Sequence, residues 1–481
     1  MSRESSRAVT LAMTCAGQFM VLLDNTIVGA ALPDMQRRLH TQLTGLQWIV
    51  DAYVLLVAML LLSGGVLADR FGRKRVYLAG VVVFTVASGC CAMSSSLAWL
   101  IVGRVVQGIG AAALSPASLA LLAAAYPVPR ERVRAIGLWA GFSGIGLAAG
   151  PVSGGVLVNA YHWPAIFLVN VPIGAVLLVA GLRTLDESGN PAAPAIDVPG
   201  TLLSVLGVGA LTYGLVEGGS LGWTAPVIVG SFAAAVVLLA AFVIVEGRSA
   251  APMLPLGLFR RRLFTVSNTA MVVVGFALMG SAFFLSQFFV EVQGSSILRA
   301  GLEALPTSLG MVLVSPYAGR LAARYGFRGV VSAGLLVAGL GLLALGFTHA
   351  HTSYAQVWWR LTAIGAGFGL TMSPLTGAAI QAVSPQEGGL ASGVSSTTRQ
   401  IGAVLGVAVL GAVVRGRQPG GASFGSSLDT AFTLAGAVTL VSAAFTTLFL
   451  ARSRPVTPAP QEGRSSLPAQ SAGDRGPGVS G

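Results

Sequence analysis

Three ionisable side chains interrupt long apolar runs, and their types point to charge and proton chemistry. Asp24 lies within CAGQFMVLLDNTIVGAAL, Asp51 within LQWIVDAYVLLVAML and Arg104 within WLIVGRVVQGIGAAAL. An ionisable group inside an apolar membrane segment is costly, and so marks a functional site by default. At 1.5 Å per residue, Asp24 and Asp51 sit ~12 Å and ~9 Å from the same end of their segments, and Arg104 about six residues from that end of its own. Two carboxylates and one guanidinium at one depth are expected to form a buried charge network facing a central cavity. Such a carboxylate can alternate between neutral and ionised forms, because burial favours the acid and a nearby cation favours the anion. A static ion pair that only fixes packing is the competing reading for all three.

The elements that position these groups follow from composition. Of 481 residues, 10% are charged and 54% hydrophobic, with a mean hydropathy of +0.78. Soluble chains carry roughly 25% charged residues, so this is a polytopic membrane protein. The runs are apolar on every face and lack the alternation of a barrel strand, which makes the fold class all-α. Fourteen spans are expected, near 8–31, 45–67, 76–95, 98–124, 134–158, 164–184, 198–218, 225–246, 264–290, 302–322, 329–348, 355–382, 391–413 and 430–450. With the N-terminus cytoplasmic, 21 Arg and Lys fall on that side and five on the other, so both termini are expected in the cytoplasm. The first apolar stretch runs past the length of a signal-peptide core and is expected to be retained.

The same distribution excludes other functions. The net charge of +12 resides in short loops between spans and forms no basic module for nucleic acid. Cys15, Cys90 and Cys91 lie in apolar stretches and read as packing residues. His40, His162, His349 and His351 fall in outer loops without ligand spacing, and Lys74 is the sole lysine. No metal site, cofactor loop or ATP-binding loop is therefore expected, and an enzyme is disfavoured.

An internal repeat sets the domain plan. GVLADRFGRK at Gly65 returns as GRLAARYGFR at Gly319, an offset of 254. Arg104 pairs with Arg360, Gly146 with Gly402 and Gly150 with Gly406 at an offset of 256, and Ser115-Pro116 with Ser373-Pro374 at 258. Spans 1–6 thus recur as spans 9–14 around an inserted pair, a 6+2+6 arrangement. The expected divisions are residues 1–184 for the first six-helix bundle, 185–263 for the inserted hairpin with its linkers and 264–450 for the second bundle. A Pro/Ser/Gly-rich cytoplasmic tail, expected to be disordered, occupies 451–481.

GVLADRFGRKR at 65–75 resembles motif A of the major facilitator superfamily, IVGRVVQGIGAA from Ile101 its motif B, and GIGLAAGPVSGG at 144–155 its motif C, the antiporter signature. LLDNTIVGAALP at 22–33, WIVDAYVL at Trp48 and GLASGVSSTTRQIGAVLGVAV from Gly389 are similar to the fourteen-span drug:proton antiporters. The resemblance implies a major facilitator fold and proton-coupled export of amphipathic drugs, antibiotics or natural products across a bacterial cytoplasmic membrane. It implies proton coupling through Asp24, Asp51 and Arg104. A narrow exporter of one metabolite on the same fold is the alternative.

Each motif has a physical account. Gly65, Asp69, Arg70, Gly72 and Arg73 of motif A suit a charge latch closing cytoplasmic span ends against the opposite half. Gly146, Gly150, Pro151, Gly154 and Gly155 of motif C suit a kinked, close-packing helix face. Phe142, Phe276, Phe283, Phe284 and Phe368 are candidate walls of a substrate cavity. The partners expected are a small amphipathic substrate, protons and the lipid bilayer, with the protein a monomer. Three positions depart from the family pattern: Gly29 replaces an Asn, Trp163-Pro164-Ala165-Ile166-Phe167 replaces Trp-Arg-Trp-x-Phe, and Ala323 stands where the first repeat has Asp69.

Overall fold

The computed structural model describes residues 3–189, 195–249, 252–349, 352–384, 387–417 and 423–450. The tail 451–481, His351 and parts of both hairpin linkers lie outside the described residues. The apolar runs become helices because a chain in hydrocarbon must satisfy every backbone group internally. In order these are α1 (Arg3–Arg38), α2 (Leu43–Phe71), α3 (Arg73–Ala92), α4 (Leu97–Ala125), α5 (Pro129–Tyr161), the short α6 (Ala165–Leu168), α7 (Asn170–Thr184), α8 (Val198–Leu221) and α9 (Pro226–Arg248). There follow α10 (Arg262–Gln287), α11 (Ile297–Glu303), α12 (Leu305–Leu345), α13 (Tyr354–Gln381), α14 (Gly388–Arg417) and α15 (Phe424–Phe449). Local chemistry sets several starts: Ser96, Asp197, Ser296 and Ser423 cap α4, α8, α11 and α15 through their side-chain oxygens.

Among the described residues, thirteen helical segments are long and apolar enough to cross a bilayer, where the sequence suggests fourteen. The difference lies in α12. Its 41 residues would extend ~62 Å as one rod, twice the ~30 Å hydrocarbon thickness. The helix breaks at Gly326, whose φ of 81° and ψ of 155° are non-helical. Gly72, between α2 and α3, has φ 106° and ψ 127°. These two glycines are 254 residues apart, so the repeat extends from sequence to backbone conformation. An L-residue with a side chain is strained there.

The packing is also repeated. α1 lies along α5 as α10 lies along α14, and α4 packs on α2 and α3 as α13 packs on α12. The two halves meet where α2 faces α14 and where α5 faces α11 and α12. The inserted α8 rests on α2 and α14, and α9 rests on α8. The outer surface is apolar: α9 exposes Val227, Val229, Val236, Val237, Val243 and Ile244, as suits a helix solvated by lipid.

Candidate functional site

Asp24 of α1 is fully buried and accepts three N–H hydrogen bonds. Arg104 Nη1 donates to its Oδ2 at 2.6 Å, and Gln107 Nε2 and Asn170 Nδ2 donate to Oδ1 at 2.8 and 2.9 Å. Arg104 and Gln107 reach the same carboxylate because residues three apart on α4 share a face. Asn170 reaches it because α6 gives way to α7 at Val169, leaving Asn170 as the first residue of α7. Ser88 of α3 closes the ring, its Oγ accepting from Gln107 Nε2 at 2.9 Å.

The guanidinium is held on every side. Arg104 Nη1 also donates to Gln107 Oε1 at 2.7 Å, and Nε donates to the Ile49 carbonyl at 3.0 Å. Its Cζ lies 4.1 Å from the Tyr53 ring centroid and 5.7 Å from that of Phe167. Arg104 is 1% exposed. Removing one partner of such a pair strands a buried charge, at a cost of about 3–5 kcal/mol.

The structure brings Asp24 and Arg104 together but leaves Asp51 out. Asp51 is 0% exposed and neither carboxylate oxygen has a hydrogen-bond partner. Helical register explains the separation. On α2, Tyr53 and Ile49 turn toward α4 and Arg104, whereas Asp51, midway between them in sequence, points to the opposite face. The network also differs from the expected cavity-facing arrangement. It lies inside the first bundle, among α1, α2, α3, α4, α6 and α7.

Gln107, Asn170 and Ser88 were not singled out by sequence. The Arg-x-x-Gln spacing of 104–107 was the available signal for Gln107, and a lone amide in an apolar run for Asn170. Nothing in the sequence distinguishes Ser88 from other small residues in spans.

The motif C glycines line up against α1. A Cβ on Gly146 would lie 2.8 Å from the Phe19 carbonyl, and one on Gly154 would lie 2.8 Å from Ala30 Cβ and from the Ile27 carbonyl. Gly150 meets Thr26 in the same way. On another face Gly155 would meet the Leu298 backbone at 3.0 Å, and Gly301 is closed by the Pro151 carbonyl. α5 thus touches the Asp24 helix along one side and α11 of the second half along another. The second repeat copies the first contact, with Gly402 and Gly406 against Val272 and Phe276 of α10.

The bundle end carrying the α1–α2 turn is closed between the halves. Gln47 Nε2 donates to the Val407 carbonyl at 2.6 Å, and Arg415 donates to Gln47 Oε1 and the Val216 carbonyl. A cavity of about 450 Å³ at this end is lined by Asp34, Arg37, Arg38, Asn159, His162 and Ile297. There Asp34 Oδ2 accepts from Trp163 N at 3.0 Å, so the departure at Trp163-Pro164 retains an anchored turn. Toward the other end of α5, Gly137 and Gly141 have nothing within 4 Å of a Cβ.

Among the described residues, motif A makes no hydrogen bond or ion pair across the halves. Asp69 Oδ1 accepts from Arg73 Nε at 2.9 Å, and Glu187 accepts the Lys74 and Arg75 backbone N–H groups at 3.0 and 3.2 Å. The open N–H groups of the first turn of α3 call for an anion, and Glu187, in the linker after α7, supplies it. Gly72 fits beneath: a Cβ there would lie 2.7 Å from the Glu187 carboxyl.

The aromatic candidates separate as well. Phe283, Phe284 and Phe368 are buried in the core rather than set on a cavity wall, the first two edge to face at 4.8 Å. They are absorbed by helix packing because a fully buried ring has no free face. Phe276 is half-buried against Gly406, and Phe142 is exposed on the open part of α5.

A repeated helical bundle with an apolar exterior, a buried carboxylate–guanidinium network and a glycine-faced helix joining its halves is a multi-pass membrane transporter. Residues 14–407 and 300–474 match the Major Facilitator Superfamily, and the chain belongs to that family. It is 42% identical over 409 residues to the multidrug resistance protein Stp of Mycobacterium tuberculosis, covering 85% of this chain and 76% of that one. It is 36% identical over 451 residues to the methylenomycin A resistance protein of Bacillus subtilis, covering 94% and 96%. It is 33% identical over 516 residues to the tetracenomycin C resistance and export protein of Streptomyces glaucescens, covering 96% and 95%. The fold is shared with a crystal structure of a POT family transporter in complex with 5-aminolevulinic acid, at a TM-score of 0.67 and 17% identity, over 91% of this chain and 95% of that one.

Proposed function

We propose that this protein exports amphipathic, drug- or antibiotic-like small molecules across a bacterial cytoplasmic membrane in exchange for protons. The observation that carries the reading is the fully buried Asp24–Arg104 pair, coupled by position to the glycine face of α5. The resistance and export relatives support the substrate class. Both termini are cytoplasmic, so the closed end is extracellular and the open stretch of α5 faces the cytoplasm. The protein works as a monomer of two rocking bundles, residues 1–184 and 264–450, with the hairpin 185–263 along their seam.

The chemistry follows from the donors around Asp24. All three are N–H groups and hold the carboxylate by its two oxygens. When a proton arrives, the neutral acid no longer holds Arg104, which keeps Gln107 Oε1, the Ile49 carbonyl and the Tyr53 face as partners. α1 is then free to move against α4. The close glycine contacts pass that movement to α5, whose Gly155 and Pro151 bear on α11 of the opposite bundle. In this scheme motif A is a latch that is unfastened in the present conformation, with Asp69, Arg70 and Arg73 held within their own half. Phe142 and Phe276 provide apolar surface for substrate.

A second reading, export of a single compound, is favoured by the two relatives named for methylenomycin A and tetracenomycin C. Inverted vesicles with a pH-sensitive dye separate the two. Wild type is expected to release protons from the lumen when lipophilic cations and polycyclic aromatic compounds are added, and Asp24→Asn is expected to release none. A response to one compound alone selects the narrow reading. An unaltered Asp24→Asn response removes Asp24 from coupling.

A further inference from the structure

The start of α8 and the end of α9 bring two carboxyls together at the foot of the inserted hairpin. Asp197 Oδ1 accepts from Gly200 N at 2.8 Å, and Glu246 Oε1 accepts from Leu254 N. Each acid thus has one oxygen on a backbone N–H group, while Asp197 Oδ2 and Glu246 Oε2 are buried without a donor. The two side chains are within hydrogen-bonding reach of each other, and the unpartnered oxygens are the ones left for that contact. Glu246 is 3% exposed.

The pair sits at a junction of three elements. Thr201 Oγ1 donates to the Asp197 carbonyl at 2.7 Å and is hydrogen-bonded to Ser63 Oγ of α2 at 2.8 Å. Met253 Sδ lies 3.5 Å from Ser63 Oγ and 3.6 Å from Thr201 Oγ1. Leu254, held by Glu246, packs in one cluster with Leu62 of α2 and with Leu390, Ala391 and Val394 of α14. The acids therefore fix the segment that leaves the hairpin where it touches both bundles.

Among the described residues, no cation pairs with these acids. Asp197 is the charged group that acts on Glu246, and none of the ion pairs includes either acid. Arg248, two residues after Glu246, is exposed on the opposite side of α9. Beyond Leu254, Arg260 is exposed, Arg261 pairs with Glu387 and Arg262 donates to the Phe449 carbonyl. On α2, Asp69 pairs with Arg73 and Arg70 is exposed. On α14, Arg399 stands five residues past Val394, ~8 Å further along the helix, and Arg415 lies at the far end of α8, at Val216.

We propose that Asp197 and Glu246 form a proton-binding site, sharing one proton between Oδ2 and Oε2, and that this proton fastens the ends of α8 and α9 to each other. Two ionised carboxylates in contact repel and leave two buried oxygens without donors. One shared proton supplies the donor and removes one of the charges. A divalent cation asks for about six oxygens, and two of the four carboxylate oxygens here are already bound to backbone N–H groups. When the helix ends part, water reaches both acids and each ionises. The fastened state thus binds one more proton than the parted state. Raising pH favours parting and lowering it favours fastening, with the ratio changing by at most about tenfold per pH unit. The topology with both termini in the cytoplasm puts the site under cytosolic pH. It is separate from the Asp24 network and does not depend on proton exchange through it.

The test uses the full chain in lipid nanodiscs and needs no substrate, so it fails or succeeds independently of the vesicle assay. In a background with Cys15, Cys90 and Cys91 replaced by serine, spin labels are placed by Leu202→Cys and Gly247→Cys, both at exposed positions near the two helix ends. Dipolar broadening between the labels reports fastened ends and is recorded from pH 5 to 9. The broadened fraction is expected to fall as pH rises in the labelled parent. It is expected to persist at every pH in Glu246→Gln and in Asp197→Asn. Each amide keeps an oxygen for its backbone N–H group and turns its own N–H toward the remaining carboxylate, and Asn still caps a helix. Infrared pH-difference spectra of the unlabelled protein give a second readout. Wild type and Asp24→Asn are expected to show a protonated-carboxyl band that Glu246→Gln lacks. A parent indifferent to pH, a pH response retained in both amide variants, or a band unchanged by Glu246→Gln overturns the proposal. So does broadening that follows added magnesium or EDTA at fixed pH, which would put a divalent cation in place of the proton.

Discussion

Asn170 Nδ2 donates to Asp24 Oδ1 across 2.9 Å and so ties the start of α7 to the middle of α1. The contact is buried at both ends. Replacing Asn170 by Leu leaves the carboxylate one donor short, at about 1.5–3 kcal/mol for a hydrogen bond to a charged group. The expected result is a lower thermal unfolding midpoint in detergent. A midpoint equal to that of the parent would show that the amide contributes nothing to the network.

Arg104 is not replaceable by another cation. Arg104→Lys keeps the charge but loses the Nε bond to Ile49 and the planar stack on Tyr53. Arg104→Ala strands Asp24 and is expected to cost about 3–5 kcal/mol. Combining Arg104→Gln with Asp24→Asn removes both charges and should restore most of the stability while transport stays lost. A double-mutant cycle of denaturation midpoints gives the coupling directly.

The glycine face of α5 predicts a positional contrast. Gly154→Ala meets Ala30 Cβ and the Ile27 carbonyl at 2.8 Å and is expected to destabilise by about 1–3 kcal/mol, as overpacking does. Gly141→Ala, in open space on the same helix, is expected to stay within roughly 0.5 kcal/mol of the parent. Side-by-side thermal melts and efflux rates decide it. Equal effects at both positions would argue against a packing role for the face.

Glu187 and Gly72 form one local unit. Glu187→Gln weakens the anion at the start of α3 and should cost about 0.3–1 kcal/mol, the range for a charge at a helix end. Gly72→Ala adds backbone strain at φ 106° to a clash with that carboxyl. It is expected to be the worse of the two, by about 1–3 kcal/mol. Gly326→Ala carries the same kind of backbone strain in the second half. Limited proteolysis of the α2–α3 and mid-α12 turns reports all three.

Much of this protein is readable from local pattern. Apolar runs of about twenty residues must be helices in hydrocarbon, and a repeated GxLAxRxG signature at an offset of 254 must be repeated turns, as Gly72 and Gly326 show in their backbones. Asp24, Asp51 and Arg104 could be grouped in advance because burying any one of them alone is costly and they share a depth. Depth, however, is set by residue count, whereas partnership is set by azimuth around the helix and by which neighbour fills that side. That is why Asp51, at nearly the same depth, does not join Arg104 and has no hydrogen-bond partner for either carboxylate oxygen.

The same limit governs the remaining differences. Glu187 and Gln107 become partners of motif A and Asp24 only when loops and helix faces are brought together. Phe283, Phe284 and Phe368 became core residues because a ring's type does not say which side of its helix is already occupied. The sequence by itself determined the spans, their repeat and the costly charges, all of which follow from short-range spacing and solvation. The tertiary structure alone decided which of those charges meet, which glycines carry α1 and which end of the bundle is shut, because each depends on contacts between residues far apart in the chain.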